Sequence, residues 1–404
     1  MSTDQPSTPV AHIRGVTSPQ QMRTRNLRLL LDVFWSRPTE VLTSADLMGP
    51  TGLTRTTVLE ICRDLERRRW IMPAQPARAT LGRQALGFAF NHARKHVVGA
   101  DVGHRSVRAV VADLSGTIVG RAQRSYANED WDSPRGADLG ETINQALEAA
   151  GVPAEGVAAA CVGVAAPVDA DGRPPESNRL WDSVRVTADD FLTDQRSWRV
   201  RIENDANLAA LAERDSGDLP PGETFITLLS GERLGSGIII GGQLHRGDHG
   251  TAGEVDYLRR VTGVNDLTGI GRRAGTIAAS GLREGRSSTL TSAWDGKGDV
   301  VPAELVFQAA QAGDEFAGEV VDELGESFAI AISTMSSFVD PSAVVLAGGI
   351  TPSSQPVVDS INAHIQAILP TPPAVVASTL GRDGVLIGAV HEAIDAVRAQ
   401  ALED

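Results

Sequence analysis

The sequence predicts an α/β protein in two parts: an N-terminal winged helix-turn-helix followed by a bilobal α/β body. Three observations carry this prediction. Before residue 92, a short helix, a glycine turn, a longer helix with a polar front end and a hairpin follow one another. From Val97 the pattern changes to apolar strands that end in Gly or Asp and alternate with helices. From Thr224 the same grammar recurs, so the body reads as two similar halves with a ligand cleft between them.

The 404 residues suit two or three domains. We expect a flexible arm at 1–20, the winged module at 21–92, a first lobe at 93–205 completed by a C-terminal helix at 387–402, and a second lobe at 206–386. With 42% hydrophobic and 22% charged residues, the composition is that of a globular protein and argues against disorder or a fibre. No apolar run reaches the roughly 18 residues of a membrane span. Residues 1–15 lack an apolar secretory core, and Cys62 and Cys161 are too few for a disulfide framework. A cytoplasmic protein without a membrane partner is expected.

The net charge of −14 is unevenly spread. Residues 1–96 hold 14 cations against seven anions, and the remainder holds 23 against 44. A basic block on an acidic body fits a nucleic-acid-binding module, or equally a solvated basic face, so patterning must decide.

In the N-terminal block, Leu27, Leu30, Leu31 and Phe34 form a helical stripe, and Pro38 blocks its extension. Thr43 or Ser44 can cap a short helix over Ala45–Met48, which Gly49, Pro50 and Gly52 then turn. The next helix starts at Thr54 with Val58, Ile61, Cys62 and Leu65 inward. Its outer face carries Arg55, Thr56, Thr57, Arg63, Arg67 and Arg68. Two β-prone stretches flanking Pro73–Arg83 complete a wing. The second helix of such a module enters the major groove by its first residues, which places Arg55, Thr56 and Thr57 on base edges. Arg63 joins that surface, and Arg78 and Arg83 in the wing would meet phosphates or a minor groove. A small helical bundle that contacts protein is the alternative.

In the body, strands are predicted at Val97–Val102, Val107–Ala112, Thr117–Ala122, Ala158–Ala165 and Val200–Ile202. Helices follow at Gly136–Ala150 and through Glu213. The second half shows strands at Thr224–Leu229, Ser236–Ile240 and Ala343–Ala347, with a helix at Glu315–Val339. Five segments then stand in a telling order: Gly99–Gly103, Glu203-Asn204-Asp205-Ala206-Asn207, Gly231–Gly237, His249–Glu254, and Val345–Gly349. With them the chain, over about residues 24 to 395, resembles the ROK family (repressors, open reading frames and sugar kinases), which has the actin-like sugar-kinase fold. The module in front resembles that of the family's repressor branch, including Thr51–Val58 and Gly82-Arg83.

The resemblance implies roles for particular residues. Asp205 matches the general base that takes a proton from a sugar hydroxyl in the kinases. Asn204 and Glu254 match groups that hold sugar hydroxyls, and Asn178 is a further candidate. Read without the resemblance, Asn204-Asp205 could simply cap the following helix. Asp101, Gly103, Gly231, Gly235, Gly237, Gly348 and Gly349 read as remnants of the phosphate loops. Where the kinases carry Gly-Gly-Thr-Lys-like and Gly-Thr-Gly-like residues, this chain has Gly103-His104-Arg105-Ser106 and Gly231-Glu232-Arg233-Leu234-Gly235. Glu232 would set a negative charge beside a phosphate, while Arg233 would either crowd it or pair with it. Tyr257 stands at the position of the family's zinc-binding His, and residues 258–281 contain no Cys or His. Neither zinc nor ATP is expected as a cofactor.

The sequence is therefore read as a DNA-binding transcriptional regulator, a repressor, whose kinase-like body senses a sugar or related metabolite and has lost kinase activity. The expected partners are a double-stranded DNA operator with an inverted repeat, a sugar or metabolite effector, and further copies of the chain in a homodimer or homotetramer. The alternative is a bifunctional ATP-dependent sugar kinase, glucokinase-like, with a DNA-binding domain.

Overall fold

The computed structural model describes residues 18–76, 86–126, 135–169, 172, 186, 197–220, 222–264, 266 and 268–403. The chain divides into an N-terminal unit, up to Arg94 and joined by the residues from Gln400, and a body at Lys95–Ala399.

In the N-terminal unit, α1 spans Pro19–Ser36 and starts in a reciprocal capping box between Ser18 and Gln21, with Pro19 in its first turn. Its stripe of Leu27, Leu30, Leu31 and Phe34 is buried, together with Trp35. A three-residue strand, β1 (Val41–Thr43), which the sequence reading did not contain, leads into α2 (Ser44–Thr51). Thr43 is the cap, its backbone N–H donating to Asp46 at 2.8 Å. The helix runs through Gly49-Pro50 rather than ending at Met48. Pro50 lies in the last, exposed turn, where water can reach the Asp46 carbonyl that loses its helix bond, and Gly52 makes the turn alone in the left-handed region at φ +66°.

Thr54 caps α3 (Arg55–Arg67), which buries Val58, Ile61, Cys62 and Leu65. It also buries Asp64, whose carboxylate meets Arg23 of α1 at 2.8 Å and Arg67 at 3.1 Å. The Arg23 bond ties α1 to α3, and the Arg67 bond lies within α3. Strands β2 (Ile71–Ala74) and β3 (Gly87–Phe90) pair antiparallel, and the sheet order is β1-β3-β2. Pro73 sits inside β2 because that strand is at an edge, where a missing N–H leaves no ladder partner unmet. Trp35, Trp70 and Phe90 close the core, the Trp35 ring 5.4 Å from Trp70 and 4.9 Å from Phe90.

The body contains two five-stranded sheets. The first is built from β4 (His96–Val102), β5 (Ser106–Asp113), β6 (Ile118–Ser125), β7 (Val157–Val164) and β8 (Arg199–Asn204), in the order β6-β5-β4-β7-β8. Strands β4, β7 and β8 run parallel. Helix α4 (Arg135–Ala150) follows β6, and α5 (Asp205–Ser216) follows β8. The second sheet repeats this plan with β9 (Phe225–Ser230), β10 (Leu234–Ile240), β11 (Gln243–Leu244), β12 (Ala343–Ala347) and β13 (Ala374–Ala377), in the order β11-β10-β9-β12-β13. Its helices are α6 (Ile270–Arg283), α7 (Leu290–Ala293), α8 (Ala303–Gln311), α9 (Glu315–Val339) and α10 (Gln355–Ile368), and α11 (Gly384–Gln400) closes the chain. Helix α11 returns to β4, where a Cβ on Gly99 would stand 2.9 Å from Val390 Cγ2.

Helix α5 is the hinge pin of this plan. On one side, a Cβ at Gly237 of β10 would lie 2.5 Å from the carbonyl oxygen of Ala206. On the other, a Cβ at Gly388 of α11 would lie 1.9 Å from that of Leu208. Gly237 thus serves packing between the second sheet and α5. Gly237→Ala should cost about 1–3 kcal/mol, because the neighbouring atoms, the Ala206 carbonyl and the Ala210 Cβ, are fixed to the α5 backbone and cannot yield. Chemical denaturation of the variant checks this, and an unchanged midpoint would count against the packing role.

Candidate functional site

Parallel strands end together, so their C-terminal ends bring loops to one place. Val102, Val164 and Asn204 stand in register at the ends of β4, β7 and β8, and Leu229 stands beside Ala347 in the second sheet. The loops after these strands enclose a cavity of about 280 Å³. That is near the lower end of small-molecule sites, which run ~300–1,000 Å³. Its walls bring together Asp101, Gly103, Asn204, Asp205, Gly231, Gly235, Glu254, Gly348 and Gly349. Gly237 is not among the lining residues. Asn178, Arg78 and Arg83 lie outside the described residues.

Asn204 caps α5, its Oδ1 accepting from the Asn207 N–H at 3.0 Å while its Nδ2 donates to the Ala166 carbonyl at 3.1 Å. The capping role and a cavity position therefore coexist. An amide has two N–H groups and two lone pairs, which leaves one of each for a ligand. Asp205 is in the first turn, and its Oδ1 accepts the Ala206 N–H at 2.8 Å. The rest of its carboxyl lines the cavity. Burial first, then the nearby Asp101 and Glu254, push its pKa up to about 8. Asp205 therefore titrates close to neutral pH rather than in the usual carboxylate range. Glu254 keeps accessible surface, but that surface opens into the cleft, and desolvation raises its carboxyl while Arg233 opposes.

Several other charges in the cleft are paired. Arg108 donates to Asp101 Oδ2 at 2.6 Å and to the Arg382 carbonyl at 2.7 Å. Arg233 meets Asp256 at 2.8 Å. Glu232 is bonded by Arg105 and by Arg272, the latter at 2.5 Å. Among the lining residues, the sequence assigns no site role to Arg108, Asp256 or Arg382. Arg108 left a signal, a single charge inside the apolar strand Val107–Ala112. The others left none, because their partners are far away in the chain.

In the N-terminal unit, Arg55, Thr56 and Arg63 are exposed on α3. Thr57 is half-buried, with its Oγ1 2.9 Å from that of Thr54.

Comparison with known proteins matches residues 97–395 to the ROK family. A glucokinase of Halalkalibacterium halodurans is 26% identical over 315 residues, covering 72% of this chain and 92% of its own. The xylose repressor of Bacillus subtilis is 23% identical over 350 residues, covering 85% and 86%. Among solved structures, a ROK family glucokinase from Streptomyces griseus in complex with glucose and AMPPNP aligns with a TM-score of 0.58 at 25% identity, over 74% of this chain and 99% of that one. A ROK family transcriptional regulator, homologous to the E. coli MLC protein, shares the fold with a TM-score of 0.66 at 18% identity, over 93% of this chain and 97% of that one. The body thus has the actin-like sugar-kinase fold.

The raised pKa of Asp205 makes a prediction about stability. A carboxyl whose folded-state pKa lies above its unfolded value near 3.8 favours the fold at acid pH, and that contribution is lost as pH rises through about 8. Thermal melts of Asp205→Asn should match the parent near pH 4 and exceed it by pH 9. Parallel melting profiles across that range would contradict the assignment.

Proposed function

Starting from the fact that this chain belongs to the ROK family, we propose that it is a DNA-binding transcriptional regulator, a repressor, whose kinase-like body binds a sugar or related metabolite. The observation that carries this reading is the N-terminal unit. Helix α2, the Gly52 turn and α3 are followed by the antiparallel pair β2 and β3, the order of a winged helix-turn-helix. The first turn of α3 leaves Arg55 and Thr56 open to solvent. Arginine can bond guanine with two N–H groups, and threonine can bond a base edge or pack on a thymine methyl. The surplus of seven positive charges over residues 1–96 favours phosphate contacts. Likeness over most of the chain to a xylose repressor supports the same role.

In this reading two copies of the chain bind an inverted repeat, because two-fold operators mirror two-fold proteins. The effector enters the cleft and acts by its differing affinity for DNA-competent and DNA-incompetent states. Asn204, Asp205 and Glu254 bond its hydroxyls. Zinc has no part in it: Tyr257, where the family places a His ligand, is 71% exposed, and a phenol there supplies no zinc-binding nitrogen or thiolate.

The kinase reading has one specific observation in its favour, the presence of Asp205 beside Asn204 and Glu254 in one cavity. Against it stands the pairing of Asp101 with Arg108; the raised Asp205 carboxyl suits a general base as well as a binding group.

Gel shifts on DNA upstream of the protein's own gene test the regulator. Arg55→Ala should weaken specific binding about tenfold or more, since a good bidentate contact is worth ~1–3 kcal/mol. Thr56→Ala should relax sequence preference, and raising salt should weaken every complex. Specific binding left intact by both substitutions would refute the placement of α3 in the groove. ATP, magnesium and a panel of hexoses and amino sugars should give no sustained ADP release. Release that disappears in Asp205→Asn would establish the kinase instead.

A further inference from the structure

Helix α3 buries one face and turns the other to solvent. On the solvent side, Thr56, Glu60, Arg63 and Arg67 recur at i, i+4, i+7 and i+11, and all of them are exposed. That spacing sets them in one stripe along the helix. Arg55 stands beside its N-terminal end and is exposed as well. The charged members of this surface are cations with one exception. Glu60 is an acid, and it sits inside the stripe rather than at its end.

The Glu60 carboxylate is not used within the protein. Among the described residues no hydrogen bond or ion pair reaches it, although Arg63 follows one turn later. Arg67 is turned to the buried Asp64, which it meets at 3.1 Å and which Arg23 of α1 meets at 2.8 Å. Asp64 thus has a task inside the fold, and Glu60 has none.

A carboxylate accepts hydrogen bonds and donates none. In a major groove it is repelled by the phosphates and by the acceptor edges of guanine, N7 and O6, and of thymine, O4. Two bases offer it a donor, cytosine through N4 and adenine through N6. Adenine sets its N7 acceptor beside that donor, so a carboxylate meets a lone pair there. Cytosine has no acceptor beside N4 on its own edge. Glu60 lies about 6 Å along the helix axis from Thr56. It therefore faces a base pair close to those that Arg55 and Thr56 face.

We propose that Glu60 reads a cytosine in each half-site of the operator, accepting a hydrogen bond from the N4 amino group. The inference rests on the reading of α3 as the helix that enters the groove. Glu60 then acts in two directions. At the matching site its carboxylate gains a donor. At other sequences it stays unpaired and repelled, which lowers non-specific binding. The surplus of positive charge over residues 1–96 supplies the general attraction that this acid holds back.

Selection of bound duplexes from a random-sequence pool, with the full chain, tests this. The parent should enrich a motif with cytosine at one position of each half-site, and replacing that base should weaken binding about tenfold or more. Glu60→Gln should enrich adenine at the same position, because an amide donates to N7 and accepts from N6. Glu60→Ala should leave the position without preference, while the bases opposite Arg55 stay selected. Both substitutions touch an exposed group without a partner, so neither variant loses the fold. An identical motif in the parent and both variants overturns the inference and leaves the regulator reading intact. So does a rise in affinity by one common factor for every sequence, the result expected of a solvated charge that merely repels DNA. A parent that enriches no sequence refutes the regulator reading and this inference with it.

Discussion

The body is held in its present shape by one buried carboxylate. Glu203 ends β8 and is 1% exposed. Its Oε2 accepts from Arg246 Nε at 2.8 Å and pairs with Arg246 Nη2 at 2.7 Å. Its Oε1 accepts from Asn207 Nδ2 and from the Asn204 backbone N–H, each at 3.0 Å. These bonds tie the edge of the first sheet, the start of α5 and the loop after β11 into one piece. Arg201 extends the network to Glu392 of α11 at 3.0 Å. Removing a charge from water costs several kcal/mol unless partners satisfy every oxygen, as they do here. The loop that Arg246 anchors continues to Glu254. The positions of Asn204, Asp205 and Glu254 in the cavity therefore all depend on Glu203, which does not itself line that cavity.

The same economy of charge runs through the cleft. Asp101 is met by Arg108, Glu232 by two arginines and Arg233 by Asp256, and burial raises the carboxyl of Asp205. A catalytic cleft works by holding groups ready for charge that develops later, with little rearrangement at that moment. Here most ionic groups have already found partners inside the protein. Two halves of the body are joined by these bonds, since Arg105 and Glu232 belong to different sheets.

The parts of the fold that could be read from the sequence are those with an uninterrupted apolar signal. Helix α9 and strand β12 occupy the spans their patterns predict, Glu315–Val339 and Ala343–Ala347. Strand β8 was read as three residues and has six, because Arg199 and Glu203-Asn204 are polar and belong to the strand through tertiary partners. Strand β1 is too short to carry a pattern, and α2 outlasts its Gly49-Pro50 pair because local turn chemistry is only one of the forces on it. In the cleft, the glycine turns and the Glu203–Asn207 segment were legible as motifs, but the arginines were not. Nothing in the neighbours of Arg105, Arg108 or Arg272 says which carboxylate each one meets. That is a property of the folded chain: Glu232 is a lone charge in a turn when read along the sequence and the shared partner of two arginines in three dimensions.

Binding in such a cleft is coupled to rearrangement only where the ligand takes a group that is already paired. A ligand that bonds Asp205 or Glu254 alone can enter a site whose ion pairs stay closed. A ligand that takes Arg105 or Arg272 must release Glu232, and so must alter a bond that spans the two sheets. Its affinity then differs between the paired and released arrangements, and that difference is the only quantity by which a ligand can shift an equilibrium. Exchange of the Arg105–Glu232 bond, which spans the two sheets, would couple occupancy to a change of state.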